Sequence, residues 1–212
     1  MFERLQKPFL TVETGEAYQP IRLTYTIFNK DKLWRLLDAL KCLEKKSTES
    51  LIIMTELVLP NDTNIFGNLM GGRLMYWMDI AAALSAQKHS NAPVVTASVD
   101  NISFENPIKL GNVVHIEAQV SRAFNTSMEV HMKVWGEDLK KRIKYKSNEA
   151  YYTFVALDEN SKPQIVPQLV PDTADEKRLF EGALRRRQIR LILGGKMKPD
   201  DAAELKALFI KD

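Results

Sequence analysis

Cysteine is almost missing from this chain: Cys42 is the only one among 212 residues. No intrachain disulfide and no thiolate zinc site can therefore form. Long apolar runs are missing as well. None approaches the roughly 18 residues that a bilayer-crossing helix needs, and Met1 to Pro8 holds no apolar block of signal-peptide length. Histidine is scarce, with His89, His115 and His131 in no HExxH or similar spacing, which argues against a metal centre. Ser85 lacks the G-x-S-x-G setting of a serine-hydrolase elbow. The formal charge is only +3, so no whole-molecule attraction to nucleic acid or membrane is implied. What remains is the expectation of a cytoplasmic globular protein with no resident cofactor, no metal, and no nucleic-acid or membrane partner.

What is present has clear periodicity. Ile21, Leu23, Tyr25 and Ile27 alternate with polar residues and predict a strand; Asn29 or Asp31 caps a helix striped by Leu33, Leu36, Leu37, Leu40 and Leu43. Lys45 to Ser50 reads as a polar linker. Leu51–Leu59 predicts a strand stopped by Pro60, and a helix runs from about Arg73 to His89. Strands follow over Val94–Phe104, Val113–Phe124, Met128–Trp135 and Ala150–Leu157. Turn residues between the later strands make an antiparallel meander the simplest topology. One long helix against one sheet face is an α+β layer architecture. Beyond Pro163, Pro167 and Pro171 the pattern turns helical, from Thr173 or Asp175 to about Leu193, where Gly194-Gly195 ends it. These breaks divide the chain into an N-terminal extension (1–47), a central domain (48–160) and a helical tail (161–212).

The chemistry concentrates before and inside the first long helix. Asn64, Gly67, Asn68, Gly71 and Gly72 lead into Leu74-Met-Tyr-Trp-Met-Asp79-Ile-Ala-Ala-Ala-Leu84, an apolar run with one carboxylate. A glycine pair at a helix start exposes unpaired amides at a positive helix end, suited to an oxyanion. An acid among aliphatic neighbours is either satisfied by a backbone or hydroxyl partner or kept as a base. Seven residues separate Gly72 from Asp79, so the two share a face but lie ~10 Å apart along the axis. One carbonyl cannot reach both on one helix. If both serve one reaction, two copies must combine, which predicts a dimer with composite sites.

Pro60-Asn61-Asp62-Thr63-Asn64-Ile-Phe-Gly67-Asn68-Leu-Met-Gly71-Gly72-Arg73 with Met78-Asp79 resembles the hotdog-fold acyl-CoA thioesterases, in particular the cytosolic acyl-CoA hydrolase group. Val95-Thr96-Ala97-Ser98-Val99-Asp100, Gly111-Asn112-Val113-Val114 and Thr126-Ser127-Met128-Glu129-Val130 continue the match in order, over roughly Ser50 to Asp158. The resemblance implies a long helix wrapped by a curved antiparallel sheet and dimers with active sites at the interface, often assembled as trimers of dimers. It implies hydrolysis of acyl-CoA to a carboxylic acid and coenzyme A, with Asn64 and Asp79 drawn from opposite subunits and Gly72 as the oxyanion donor. Gly71, Arg73, Ser98, Thr126 and Ser127 become substrate-binding candidates. Met70 stands where many relatives have histidine, so that ring is absent here.

Two alternatives stay open on the same fold. One is an acyl-thioester hydratase, although no histidine follows Asn106-Pro107 to pair with an acid. The other is a non-catalytic acyl-CoA-binding or regulatory protein. The tail, Thr173 to Lys198, carries eight Lys/Arg against three Asp/Glu. Arg185, Arg186, Arg187 and Arg190 are either a solvated helix face or, with Arg186 as the candidate, a site for coenzyme A phosphates. His89 is expected at a helix end facing solvent, and His115 and His131 on polar strand faces.

Overall fold

The computed structural model describes residues 44–100 and 102–208; the strand and helix expected before residue 44 lie outside them. A 20-residue helix α1 (Gly71–Ser90) packs on one face of a five-stranded antiparallel sheet. The strands are β2 (Ile52–Leu57), β3 (Val94–Val99), β4 (Val113–Ala123), β5 (Ser127–Asp138) and β6 (Ile143–Ala156). Their spatial order is β2-β4-β5-β6-β3. Only β4, β5 and β6 form a meander. The chain crosses from β3 at one edge to β4 near the other, so a simple meander through all strands is corrected. The α+β architecture and the helix wrapped by sheet match the fold the resemblance implied.

Alternation explains which face meets the helix. Ile116, Ala118 and Val120 of β4, Met128, Val130 and Met132 of β5, and Tyr152, Phe154 and Ala156 of β6 are all buried toward α1. The helix answers with Leu74, Trp77, Met78, Ala81, Ala82, Ser85 and Ala86, spaced as one stripe. Its alanines allow close approach to the sheet; Ala82→Leu would force the layers apart at about 1–3 kcal/mol.

Several boundaries differ from the sequence reading, for physical reasons. Residues 45–50 are not a linker: β1 (Glu44–Lys46) pairs in parallel with β7 (Gln168–Val170), and Ser47 and Ser50 are buried. The Ser47 hydroxyl donates to the Val120 carbonyl at 2.7 Å, and the Ser50 hydroxyl accepts from the Val120 amide at 2.9 Å. β3 stops at Val99 rather than Phe104. β6 starts earlier than expected, at Ile143, because cross-strand pairing with β5 recruits the basic run Lys144–Lys146.

The tail forms α2 (Ala174–Leu193) and a short α3 (Ala203–Lys206). Thr173 caps α2: its hydroxyl accepts from the Glu176 amide at 3.2 Å, while the Glu176 carboxylate accepts from the Thr173 amide at 3.1 Å. α2 covers the sheet face opposite α1. The polar side of β4 and β5, which alternation alone assigns to water, is therefore partly roofed, and Ser121, Glu129 and His131 are buried.

Candidate active site

Asn64 lies in a tight loop. Its Oδ1 accepts from the amides of Phe66 (2.9 Å) and Asn68 (3.2 Å), and Gly67 takes a φ of 71°, which glycine tolerates best. Oδ1 is held by two backbone donors on an exposed residue, which leaves Nδ2 as the side chain's donor. The loop closes on the helix start through Met70 N to Asp62 O at 2.9 Å. Arg73 reinforces it with a 2.9 Å ion pair to Asp62. Asn64, Asn68, Leu69, Gly71, Phe104 and Asn106 are among the residues lining a cavity of about 230 Å³. The first intrahelical bond of α1 is Leu74 N to Met70 O, so the amides of Gly71, Gly72 and Arg73 precede the helical ladder. Gly72 is exposed, and a β-carbon added there would meet nothing within 4 Å.

Asp79 sits two turns further along α1 and is half-buried. Thr96 of β3 donates its hydroxyl to Asp79 Oδ1 at 2.8 Å. The hydroxyl partner foreseen as one alternative is thus present, and it leaves the other carboxylate oxygen for a substrate or water. Tyr152 belongs to the same helix-facing side of the sheet, and its hydroxyl is buried without a hydrogen-bond partner among the described residues. Burial and the neighbouring Asp79 charge push that phenol up to about 12, so it stays neutral near Asp79. Thr96 was not singled out from the sequence: a threonine in a strand has ordinary propensity, and only the register of β3 over α1 gives it this partner.

The other candidates fall in a third place, on the far side of the sheet. Ser98 joins Val99, Asp100, Arg186, Ile189 and Arg190 around a cavity of about 400 Å³. Ser127, the first residue of β5, accepts from Arg187 at 3.2 Å, and Thr126, in the β4–β5 turn, offers its carbonyl to Ala156 N at 3.0 Å. One chain thus brings Asn64 and Gly71 together, and Asp79 with Thr96, but does not join the two groups.

The arginines of α2 follow neither expectation unaltered. Arg186 is not a freely solvated cation: its Nη2 donates to Glu129 Oε1 at 2.7 Å, and its guanidinium lies 3.9 Å from the Tyr151 ring centre. Arg190 bridges Glu129 (3.0 Å) and Asp100 (2.8 Å). His89 is also corrected. It is fully buried, Nε2 lies 2.9 Å from the Pro167 carbonyl, and burial pushes its pKa down despite that contact. His131 lies on the polar strand face, as expected, but is buried there, stacked on Tyr151 and 2.5 Å from Glu149; burial again lowers it. Burial favours the neutral Glu149 carboxyl, but hydrogen bonds from Lys146 and His131 outweigh it and hold Glu149 at about 2. Among the described residues no cluster of three or more His, Cys, Asp or Glu could hold a metal ion, and no helix is long and apolar enough to cross a membrane.

Residues 66–143 match the family model of the thioesterase superfamily. A protein of Bacillus subtilis strain 168 named as an uncharacterised acyl-CoA thioester hydrolase, YkhA, is 40% identical over 138 residues, covering 65% of this chain and 80% of that protein. The chain belongs to the thioesterase superfamily. Mouse acyl-coenzyme A thioesterase 11 is 44% identical over 145 residues, covering 68% of this chain but 24% of the mouse protein. Among solved thioesterases, a hexameric acyl-CoA thioesterase superposes with a TM-score of 0.70 at 39% identity, over 71% of this chain and 97% of that one. The acyl-CoA hydrolase of Staphylococcus aureus, solved with butyryl coenzyme A and coenzyme A, gives 0.67 at 37% identity, over 72% and 95%. Three further structures of that Staphylococcus thioesterase carry alanine in place of an asparagine, an aspartate and a threonine, which lie 15 and 17 residues apart.

Proposed function

We propose that this protein hydrolyses acyl-CoA thioesters, releasing a carboxylic acid and coenzyme A. One observation carries the reading. Asn64, Asp79 and Thr96 are spaced by the same 15 and 17 residues as the three positions replaced in the Staphylococcus enzyme, and Asp79 and Thr96 are hydrogen-bonded at 2.8 Å. No resident cofactor or metal enters the chemistry; coenzyme A arrives as part of the substrate.

In the proposed reaction the thioester carbonyl lies against the Gly72 amide. Negative charge that develops on its oxygen is stabilised at the positive end of α1, an effect worth ~3 kcal/mol of barrier per donor. Asp79, aligned by Thr96, takes a proton from water as it adds to the carbonyl; the C–S bond then breaks and the thiolate leaves with a proton. The alternative is attack by the Asp79 carboxylate to give a mixed anhydride that water opens. Asn64 Nδ2 orients the water or the thioester oxygen. Gly71 and Arg73 are proposed at the same substrate-facing helix end, with Ser98, Thr126 and Ser127 along the outer course of coenzyme A.

The ~10 Å between Gly72 and Asp79 along one helix calls for a second copy. The outer edge of β3, in the strand order β2-β4-β5-β6-β3, has no strand partner among the described residues, and Val95 and Val99 are exposed along it. Pairing of that edge with its copy would set Asp79 of one protomer toward the Asn64 loop of another, and the hexameric state of a similar thioesterase supports an assembly of several copies.

The test is thiol release from short-, medium- and long-chain acyl-CoA by the protein and by Asp79→Asn. The expected result is loss of most turnover in the variant with retained acyl-CoA binding. Turnover by Asp79→Asn close to the unaltered protein would remove the acid from the mechanism. Binding without thiol release by the unaltered protein would instead point to a non-catalytic acyl-CoA-binding role. Single-turnover hydrolysis in ¹⁸O-water separates the two routes, since only the anhydride places label in Asp79.

A further inference from the structure

We propose that the Arg190–Asp100 ion pair is a positioning device, through which tail helix α2 holds the end of strand β3 and so keeps the Thr96 hydroxyl on Asp79. This rests on the reading of Asp79 and Thr96 as the reacting pair.

Within one chain β3 has fewer paired positions than any other strand of the sheet. Within the protomer it is an edge strand, paired with β6 alone. Its register slips between Thr96 and Ser98, leaving Ala97 as an extra residue beside the one side chain that reaches Asp79. Five paired positions hold it, and beyond Val99 the Asp100 amide donates to Tyr151 O at 3.0 Å. The Asp100 side chain is then gripped by Arg190 Nη1 at 2.8 Å. Arg190 is itself anchored to Glu129, which is fully buried and also takes two donors from Arg186 and one from the Ser121 hydroxyl at 2.8 Å. A continuous chain of charged contacts thus runs from the start of β5 through α2 to Asp100, just beyond β3 and four residues from Thr96.

Stability alone does not account for this arrangement. Asp100 Oδ1 and Arg190 Nη2 are buried with no hydrogen-bond partner among the described residues. A half-satisfied buried ion pair is a poor stabiliser compared with apolar packing. Burial pushes the Asp100 carboxyl up even with Arg190 beside it, so desolvation is felt at this site. A directional link that fixes the end of β3 supplies an orientation that an apolar contact would not.

The experiment is a double-mutant cycle on the full chain, reading kcat and KM for the acyl-CoA turned over fastest, with folding checked by circular dichroism. Arg190→Gln is expected to lower kcat about tenfold, because small misplacements of a reacting group are costly, while KM moves less than twofold. Asp100→Asn, the milder change, lowers kcat in the same way. Arg178→Gln, on the exposed side of α2, leaves kcat unchanged. In a Thr96→Ala background Arg190→Gln has almost no further effect, since its target is gone. If Arg190→Gln lowers kcat by the same factor with and without Thr96, or acts on KM alone, the positioning role is overturned while the hydrolase reading stands. If Thr96→Ala itself leaves kcat unchanged, both the reacting-pair reading and this proposal fall.

Discussion

Glu129→Gln isolates the energetic weight of the buried charge cluster under α2. The carboxylate has no exposed surface and accepts from Arg186 at 2.7, 3.1 and 3.2 Å, from Arg190 at 3.0 Å and from Ser121 at 2.8 Å. Glutamine keeps the volume but removes the charge and sets an NH₂ group against guanidinium donors. Two cations are left with reduced compensation in a desolvated place, and breaking such a pair costs on the order of 3–5 kcal/mol. At roughly 2–4 °C per kcal/mol for a protein of this size, Tm should fall by about 10 °C. Lys133→Gln is the comparison: it loses a 3.2 Å pair with Asp175 in which both side chains are a third to half exposed. Solvent screening reduces that contact to below about 1 kcal/mol. The assay is thermal and urea unfolding of both variants by circular dichroism at equal protein concentration. Equal losses, both under about 1 kcal/mol, would refute the claim that this cluster fastens α2 to the sheet.

Other perturbations test the site directly. Gly72→Pro removes one amide in the first helical turn, where proline is tolerated, and should lower kcat by about 10²–10³; Gly72→Ala keeps the amide in open space and should stay within a few fold. Equal activity of the two would show that this amide does not serve the reaction. Asn64→Asp preserves the acceptor that holds the Phe66 and Asn68 amides but deletes the Nδ2 donor; thiol-release assays should find kcat reduced with Tm little changed. His89 and His131 are held below their ordinary pKa of 6.5 by burial, so the unfolded chain binds protons that the folded one resists. Stability from this source is therefore full well above about pH 6.5 and should decline as pH falls through that value toward about 5.5, with a shallower decline in His131→Gln. Urea midpoints across that range measure it.

Much of this architecture is legible in local pattern. The strand periods of β4 and β5 and the capped start of α2 each express a preference that neighbouring residues reinforce. Asn64, Gly72 and Asp79 draw attention for the same reason, since amides and an acid are out of place beside an apolar helix. What sequence pattern misses is set by contacts distant along the chain. Thr96 acquires its partner across 17 residues, and Glu129, His131 and the α2 arginines acquire theirs only when the tail folds over the second sheet face. Alternation says that Glu129 and His131 point away from α1; it does not say that another helix waits there. Likewise the polar serines of 45–50 resemble a linker until β4 supplies the backbone groups they bond.

The parallel pairing of Glu44–Lys46 with Gln168–Val170 has a further consequence for how this unit can be used. Entry and exit of the sheet-and-helix core are laced side by side, about one strand spacing of ~4.8 Å apart. A unit with adjoining ends can be spliced into a longer polypeptide with little strain on either host or guest. Such portability suits a sequence whose match occupies 24% of one relative and 80% of another.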